Sequence, residues 1–171
     1  AKVTVNSQNI SYGQTPDTLV SATPEEAKPI YIIGGIDGNG NAYVSIDFKS
    51  VTVNDLAGKD IPLVGDWSLQ DVVISVLGGN EFSANKLLGS LDKVEKLLSS
   101  TLGVQDAADV VAGIREAIEA IGKVAPGVMD STIVLGGTPT EAGVYTIAAI
   151  SVNPNYKTSV ALGYLTIAPA T

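Results

Sequence analysis

Residues 132–169 read TIVLGGTPTEAGVYTIAAISVNPNYKTSVALGYLTIAP, and this stretch decides the predicted fold class. In VYTIAAISV, and again in SVALGYLTIAP, side chains alternate with the period of two that is typical of β-strands. The clusters GTP and NPNY separate these runs, and such Gly, Pro and Asn clusters mark turns. The alternation places Tyr145, Ile147 and Ala149 on one strand face. The stretch therefore predicts an antiparallel hairpin that closes a β-sandwich.

Upstream segments extend the predicted sheet. Strands are expected at 2–12, at a short site around residues 19–20, at 30–36, 42–53, 61–63 and 71–77. The turn DGNGN at 37–41 joins two of them, because Gly and Asn tolerate the positive φ of tight hairpins. Residues 71–77 are apolar on both faces, which favours a central strand.

The period changes to that of a helix in the middle of the chain. Residues 84–100 and 104–124 carry apolar side chains three and four positions apart, which predicts two amphipathic helices. Ser83 is a candidate N-cap and Gly103 separates the helices. We therefore expect a helical hairpin at residues 83–127, inserted between strands that pair with each other.

Two C-terminal segments and one N-terminal segment resemble known repeats. GTPTEAGVYTIAAI at 137–150 is similar to the penultimate strand of bacterial immunoglobulin-like surface repeats. NPNYKTSVALGYLTIAP at 153–169 resembles the end of MBG-type repeats, and VTVNSQNISYGQTPD at 3–17 resembles the start of the same families. The resemblance implies one domain over residues 1–171, a mainly β (α+β) antiparallel immunoglobulin-like sandwich that carries the helical hairpin. A β-grasp-like arrangement, with helices on one sheet face, gives the same element order and stays open.

Composition excludes several kinds of chemistry. The 171 residues contain no Cys and no His, so Cys–His and Ser–His–Asp catalysis and Cys/His zinc sites are excluded. The net charge of −8 disfavours a nucleic-acid partner. No run of eighteen apolar residues is present, so no membrane insertion is expected. No spacing of the acidic residues singles out a glycosidase pair, and we predict no enzyme activity.

Three features are candidates for calcium binding, ligand stacking and a covalent crosslink. The turn at 37–41 has the alternating oxygens of a calcium loop, but an EF-hand pattern would need Gly and an acid where Ala42 and Phe48 stand. A plain turn is favoured. Trp67 is expected in or near the core, with stacking on a ligand beside Tyr31 or Tyr43 as the alternative. A Lys–Asn crosslink of the kind found in surface repeats would involve Lys2 and Asn153 or Asn155, but no signature motif is present and the crosslink is not favoured.

Together with this composition, the resemblance implies a non-catalytic adhesive or spacer module of a bacterial extracellular, secreted or cell-surface protein. No catalytic, cofactor-binding or metal residue and no cofactor is assigned. Its expected partners are neighbouring domains of a larger protein, from which the chain is expected to be a fragment, and a host protein or glycan. The alternative is a carbohydrate-binding module of a secreted carbohydrate-active protein, with or without calcium at the turn. A third hypothesis is a surface-layer module that self-associates through edge strands.

Overall fold

A computed structural model describes residues 1–170. The strands are β1 (Lys2–Val5), β2 (Gln8–Ser11), β3 (Val20–Thr23), β4 (Ile30–Asp37), β5 (Ala42–Asp47), β6 (Val134–Leu135), β7 (Gly143–Ile150) and β8 (Ala161–Ala168). The helices are α1 (Val53–Ala57), α2 (Leu69–Leu77), α3 (Ala84–Lys96) and α4 (Ala107–Val124). Helix and strand contents are about 33% and 28%, so the chain is mixed α and β. The expected combination of helices and sheet is confirmed, but strands do not predominate, because residues 53–57 and 69–77 are helical.

Six strands form one sheet in the order β2-β8-β7-β4-β5-β6. The predicted hairpin is present, since β7 and β8 are antiparallel with Tyr145 opposite Leu165. The predicted β4–β5 hairpin is confirmed too, with Ile33 opposite Ser45. At the two edges the pairing is parallel, β2 with β8 and β6 with β5.

The first predicted strand is divided. β1 pairs with β3 in a separate two-stranded ribbon, whereas β2 joins the large sheet. The chain therefore changes layer between Val5 and Gln8. Val3 is buried, and Val5 packs against the cluster formed by Ile33, Tyr145, Ile147, Leu165 and Ile167.

The helices cover the opposite face of the large sheet. Its side chains Ile32, Val44, Ile46 and Ile150 belong to one buried cluster with the apolar sides of all four helices. Gly34 allows this approach, because a Cβ at that position would lie 2.6 Å from Ile121 of α4. The sheet thus lies between a helical layer and the ribbon.

The interpretation of residues 61–63 and 71–77 as strands is wrong. Residues 71–77 lie in α2, which begins at a capping box formed by Ser68 and Asp71. Leu69, Val72 and Val73 are its buried residues, so one side of this apolar run faces the helical cluster. A short run that is apolar on both sides does not distinguish a buried strand from a helix. Residues 61–63 form an irregular loop, and the second strand of the first hairpin ends at Asp47 rather than at residue 53.

The two predicted long helices are confirmed. Ser83 caps α3 through the backbone N–H of Lys86, and a π-helical turn at Leu97–Thr101 extends this helix. Gly103 has φ +73° and separates α3 from α4. Both helices share their layer with α1 and α2, which the apolar spacing did not indicate. Among residues 1–170, no helix has both the length and the apolar character needed to cross a membrane.

Candidate functional site

Hydrogen bonds to the side chain of Asp37 stabilise the turn between β4 and β5. One carboxylate oxygen of Asp37 accepts the backbone N–H groups of Asn39 at 2.8 Å and Asn41 at 2.9 Å. Gly40 supplies the positive φ of +82°. The prediction of a hairpin turn is therefore confirmed. In the described part of the chain, no group of three His, Cys, Asp or Glu residues is placed to hold a metal ion.

Trp67 lies on the loop between α1 and α2 and is 46% exposed, so the predicted core position is wrong. Its carbonyl accepts the N–H of Val53, which begins α1 in the helical layer. Tyr31 and Tyr43 instead pack against the cluster on the ribbon side of the sheet. The structure therefore does not bring Trp67 together with these two tyrosines.

The same loop presents Leu63, whose residue is fully exposed. Leu63 has φ +70°, and the N–H of Val64 donates to the carbonyl of Pro62 at 2.8 Å. This positive φ and hydrogen bond from residue i+2 to residue i describe a γ-turn of the rare, strained type. A Leu in such a conformation requires surrounding structure that holds it there.

Asn54 of α1 supplies that support. Its side-chain oxygen accepts the N–H of Ile61 at 2.7 Å, and its backbone N–H donates to the carbonyl of Gly65 at 3.0 Å. Gly65 is required, because a Cβ there would overlap the Asn54 side chain. We call residues 58–68 the Leu63 loop. The loop holds a Leu and a Trp at the surface in a defined geometry, and no sequence pattern indicated this.

Three tyrosines form the polar part of the ribbon-side cluster. The rings of Tyr43 and Tyr145 meet edge to face, with centroids 5.8 Å apart, and the Tyr145 hydroxyl donates to the carbonyl of Glu141 at 2.7 Å. Burial, followed by the charge of Asp47, raises the pKa of Tyr31 to about 12. Burial also raises the pKa values of Tyr43 and Tyr145. The shifts therefore affect protonation only at alkaline pH. Among residues 1–170, the buried Tyr43 hydroxyl has no hydrogen-bond partner, in contrast to that of Tyr145.

The contacts of Asn153 do not support the Lys–Asn crosslink, which the sequence did not favour. Its amide donates to the carbonyl of Glu26 at 3.4 Å, and its oxygen accepts the N–H of Asn155 at 2.9 Å. Lys2 is exposed on β1. The lysine that contacts a partly buried acid is Lys28, whose ammonium lies 2.9 Å from Asp55.

A small cavity lies beside the first turns of α4. Asp109, Gly113, Ser151 and Lys157 are among its lining residues, and its volume is about 90 Å³. Pockets for drug-sized ligands usually measure about 300–1,000 Å³, so this cavity suits a few waters at most. Lys157 and Asp109 form an exposed ion pair at its mouth, 3.4 Å apart. The Leu63 loop is therefore the better candidate for recognition.

Comparison with protein-family models, with curated proteins and with solved structures finds no match to this chain.

Proposed function

We propose that the chain is a non-catalytic, immunoglobulin-like module of a bacterial extracellular or cell-surface protein, where it acts as an adhesive or spacer domain. The observation that carries the proposal is the buried Tyr145, whose hydroxyl donates to the carbonyl four residues earlier in the chain. Immunoglobulin-like sandwiches have such a tyrosine corner near the start of a penultimate strand. Tyr145 occupies that position in β7, the strand before the last.

Two further features agree with an immunoglobulin-like arrangement. Ribbon and large sheet face each other across one apolar cluster, as the two sheets of a sandwich do. The N-terminal segment contributes β1 to one layer and β2 to the other. The helical layer on the far side is also compatible with the β-grasp-like alternative, but that alternative provides no role for the ribbon.

The Leu63 loop supports the adhesive role over a purely spacing one. A fully exposed Leu63 and a half-exposed Trp67 are held on one short, hydrogen-bonded loop. Aromatic and aliphatic anchors of this kind carry much of the binding energy at protein interfaces. Asp60 and Asp66 flank them, so a partner with an apolar pocket and a basic rim would be complementary.

Surface labelling tests the proposed location. Antibodies raised against the folded domain are applied to intact and to permeabilised cells of the source organism. The proposal expects equal labelling of both, and labelling that appears only after permeabilisation contradicts it. A cytosolic protein of the same cells serves as the control for intactness.

The alternative is a carbohydrate-binding module, and the exposure of Trp67 is the observation that favours it. Trp67 is the only tryptophan of the chain, so its fluorescence reports on this loop alone. Titration with oligosaccharides, with and without calcium, should leave the emission unchanged if the adhesive or spacer proposal is right. A saturable change in emission would favour the carbohydrate-binding module instead, and calorimetric titration should then detect binding in the original chain that is lost in Trp67→Leu.

A further inference from the structure

Exposed apolar side chains are concentrated on the part of the large sheet that the helices leave uncovered. We call this area the apolar shelf, and it consists of four sheet residues and one residue at the end of α4. Their exposed fractions lie between 43% and 62%: Ile36, Val124, Val144, Leu162 and Tyr164. Five of the nine large apolar residues that the structure exposes therefore fall in one place.

Strand register makes the apolar shelf continuous. Ile36 of β4 is paired directly with Val144 of β7. Val144 is opposite Thr166 of β8, so Tyr164 is its diagonal neighbour on the same face, within reach of an aromatic side chain. Leu162 lies two residues before Tyr164 in the same strand and on the same face. It also lines a groove with Val124, which connects the strand to the helix.

The packing of α4 explains why this area is open. The helix lies over β4 and β7, where Gly34 and Gly113 leave room for it, and it ends at Val124. It does not extend over the outer half of β8. On the adjoining strand β2 the residues of the same face are Asn9 and Ser11, so the apolar character stops at the sheet edge.

Charges beside the apolar shelf indicate what covers it. Along the exposed side of α4, Glu116 and Glu119 precede Ala120 and Lys123, and all four line the groove with Leu162. If two copies of α4 lie antiparallel about a two-fold axis between Glu119 and Ala120, each Lys123 faces Glu116 of the other copy, and each Glu119 faces Ala120. The two Lys123–Glu116 contacts are thus self-complementary, as an isologous interface requires, whereas the two Glu119 side chains near the axis weaken the contact.

We propose that the apolar shelf and the adjoining side of α4 form a two-fold interface with a second copy of this chain. A standard interface buries about 800 Å² of surface on each partner, and five partly exposed side chains bury less than that. The net charge of −8 on each copy also opposes association. The dimer is therefore weak, with a dissociation constant of about 10 µM to about 1 mM.

Weak pairing has a use if the module is displayed in many copies. Tethering raises the effective concentration of neighbouring copies to the order of millimolar, which is enough to populate such a dimer. This consequence rests on the proposed function, whereas the interface itself does not. Failure of surface labelling would remove the display argument and leave the solution dimer standing.

Analytical ultracentrifugation of the full chain tests the interface between about 10 µM and about 1 mM. The average mass should rise with concentration, and Val144→Asp or Leu162→Glu should keep it at the monomer value throughout. Val134→Asp is the matched control, since it places the same charge on an exposed valine of the opposite sheet face, away from the apolar shelf. Circular dichroism and thermal unfolding verify that each variant is folded.

A charge exchange tests the two-fold geometry. Glu116→Lys alone and Lys123→Glu alone each place like charges opposite each other, so each variant should associate less than the original chain. A mixture of the two variants restores opposite charges at both contacts and should associate again. An original chain that stays monomeric to about 1 mM overturns the proposal, as does a mixture that fails to associate. Loss of association in Val134→Asp would also overturn it.

Discussion

At the scale of single residues, Tyr145 links the end of one loop to the core. Its ring is buried, and its hydroxyl is hydrogen bonded to the carbonyl of Glu141. Replacement by Phe keeps the ring and removes the hydrogen bond. We expect Tyr145→Phe to lower the free energy of unfolding by about 1 kcal/mol. Denaturant unfolding measures this change, with the half-exposed Tyr12→Phe as the control. Equal stability of both variants would show that the bond contributes nothing.

Tyr31 makes stability depend on alkaline pH. Its pKa is raised from 10.0 to about 12 in the folded chain, by burial first and by Asp47 second. Between these values the unfolded chain loses the proton while the folded chain keeps it. The contribution of Tyr31 is therefore complete below pH 10 and is lost as pH rises towards 12. Tyr31→Phe should lose less stability than the original chain between about pH 9 and about pH 11.5. If the unfolding midpoints of the two chains fall by the same amount over this pH range, the prediction is wrong.

Ser83 and Leu63 differ in whether their local structure is predictable from the sequence. The N-cap role of Ser83 was predictable, because a hydroxyl before a helical period satisfies free N–H groups of the first turn. The positive φ of Leu63 is not predictable from the sequence, since leucine does not favour that conformation. It depends on Asn54, and that contact exists only after α1 and the loop have formed.

At the scale of elements, two helical glycines have different roles. A Cβ at Gly89 in α3 meets no atom within 4 Å, whereas a Cβ at Gly113 in α4 would lie 2.7 Å from Val152. Alanine favours a helix interior over glycine by about 1 kcal/mol. We therefore expect Gly89→Ala to stabilise the chain by up to about 1 kcal/mol and Gly113→Ala to destabilise it by about 1–3 kcal/mol.

Thermal and denaturant unfolding of the two glycine variants provide the comparison. Because both changes have the same helix propensity, the difference between them measures the close approach of α4 to the sheet. Stabilisation of both variants would mean that α4 can move away from Val152 at no cost.

In the helix α2, two local signals in the sequence conflict. Its apolar run favours a central strand, whereas the capping pattern of Ser68 and Asp71 favours a helix, and the structure has the helix. Capping boxes with an acid three residues after Ser or Thr also begin α1 at Thr52. For α1 and α2, the capping pattern is therefore a better predictor of a helix than the short apolar run is of a strand.

At the scale of the whole molecule, the helical layer completes the main core. Ile32, Val44, Ile46 and Ile150 of the sheet are buried by it. Replacing residues 84–127 with a short Gly/Ser linker would expose this face, and we expect loss of the cooperative unfolding transition and binding of a hydrophobic dye. The control chain carries the same linker inserted after Gly79, in an exposed turn. A deleted chain that still unfolds cooperatively would mean that the helices serve another purpose than stability.

The sequence by itself determined the elements whose signal is local. Alternation and turn residues specified β4, β5, β7 and β8, and the three- and four-residue spacing specified α3 and α4. Only the tertiary structure decided which faces meet, because layer packing depends on contacts between residues distant in the chain. The division of the first strand between two layers, the edge pairing of β2 with β8, and the uncovered apolar shelf all arise in this way. So does the Leu63 loop, whose strained turn is stabilised by Asn54 of a neighbouring helix.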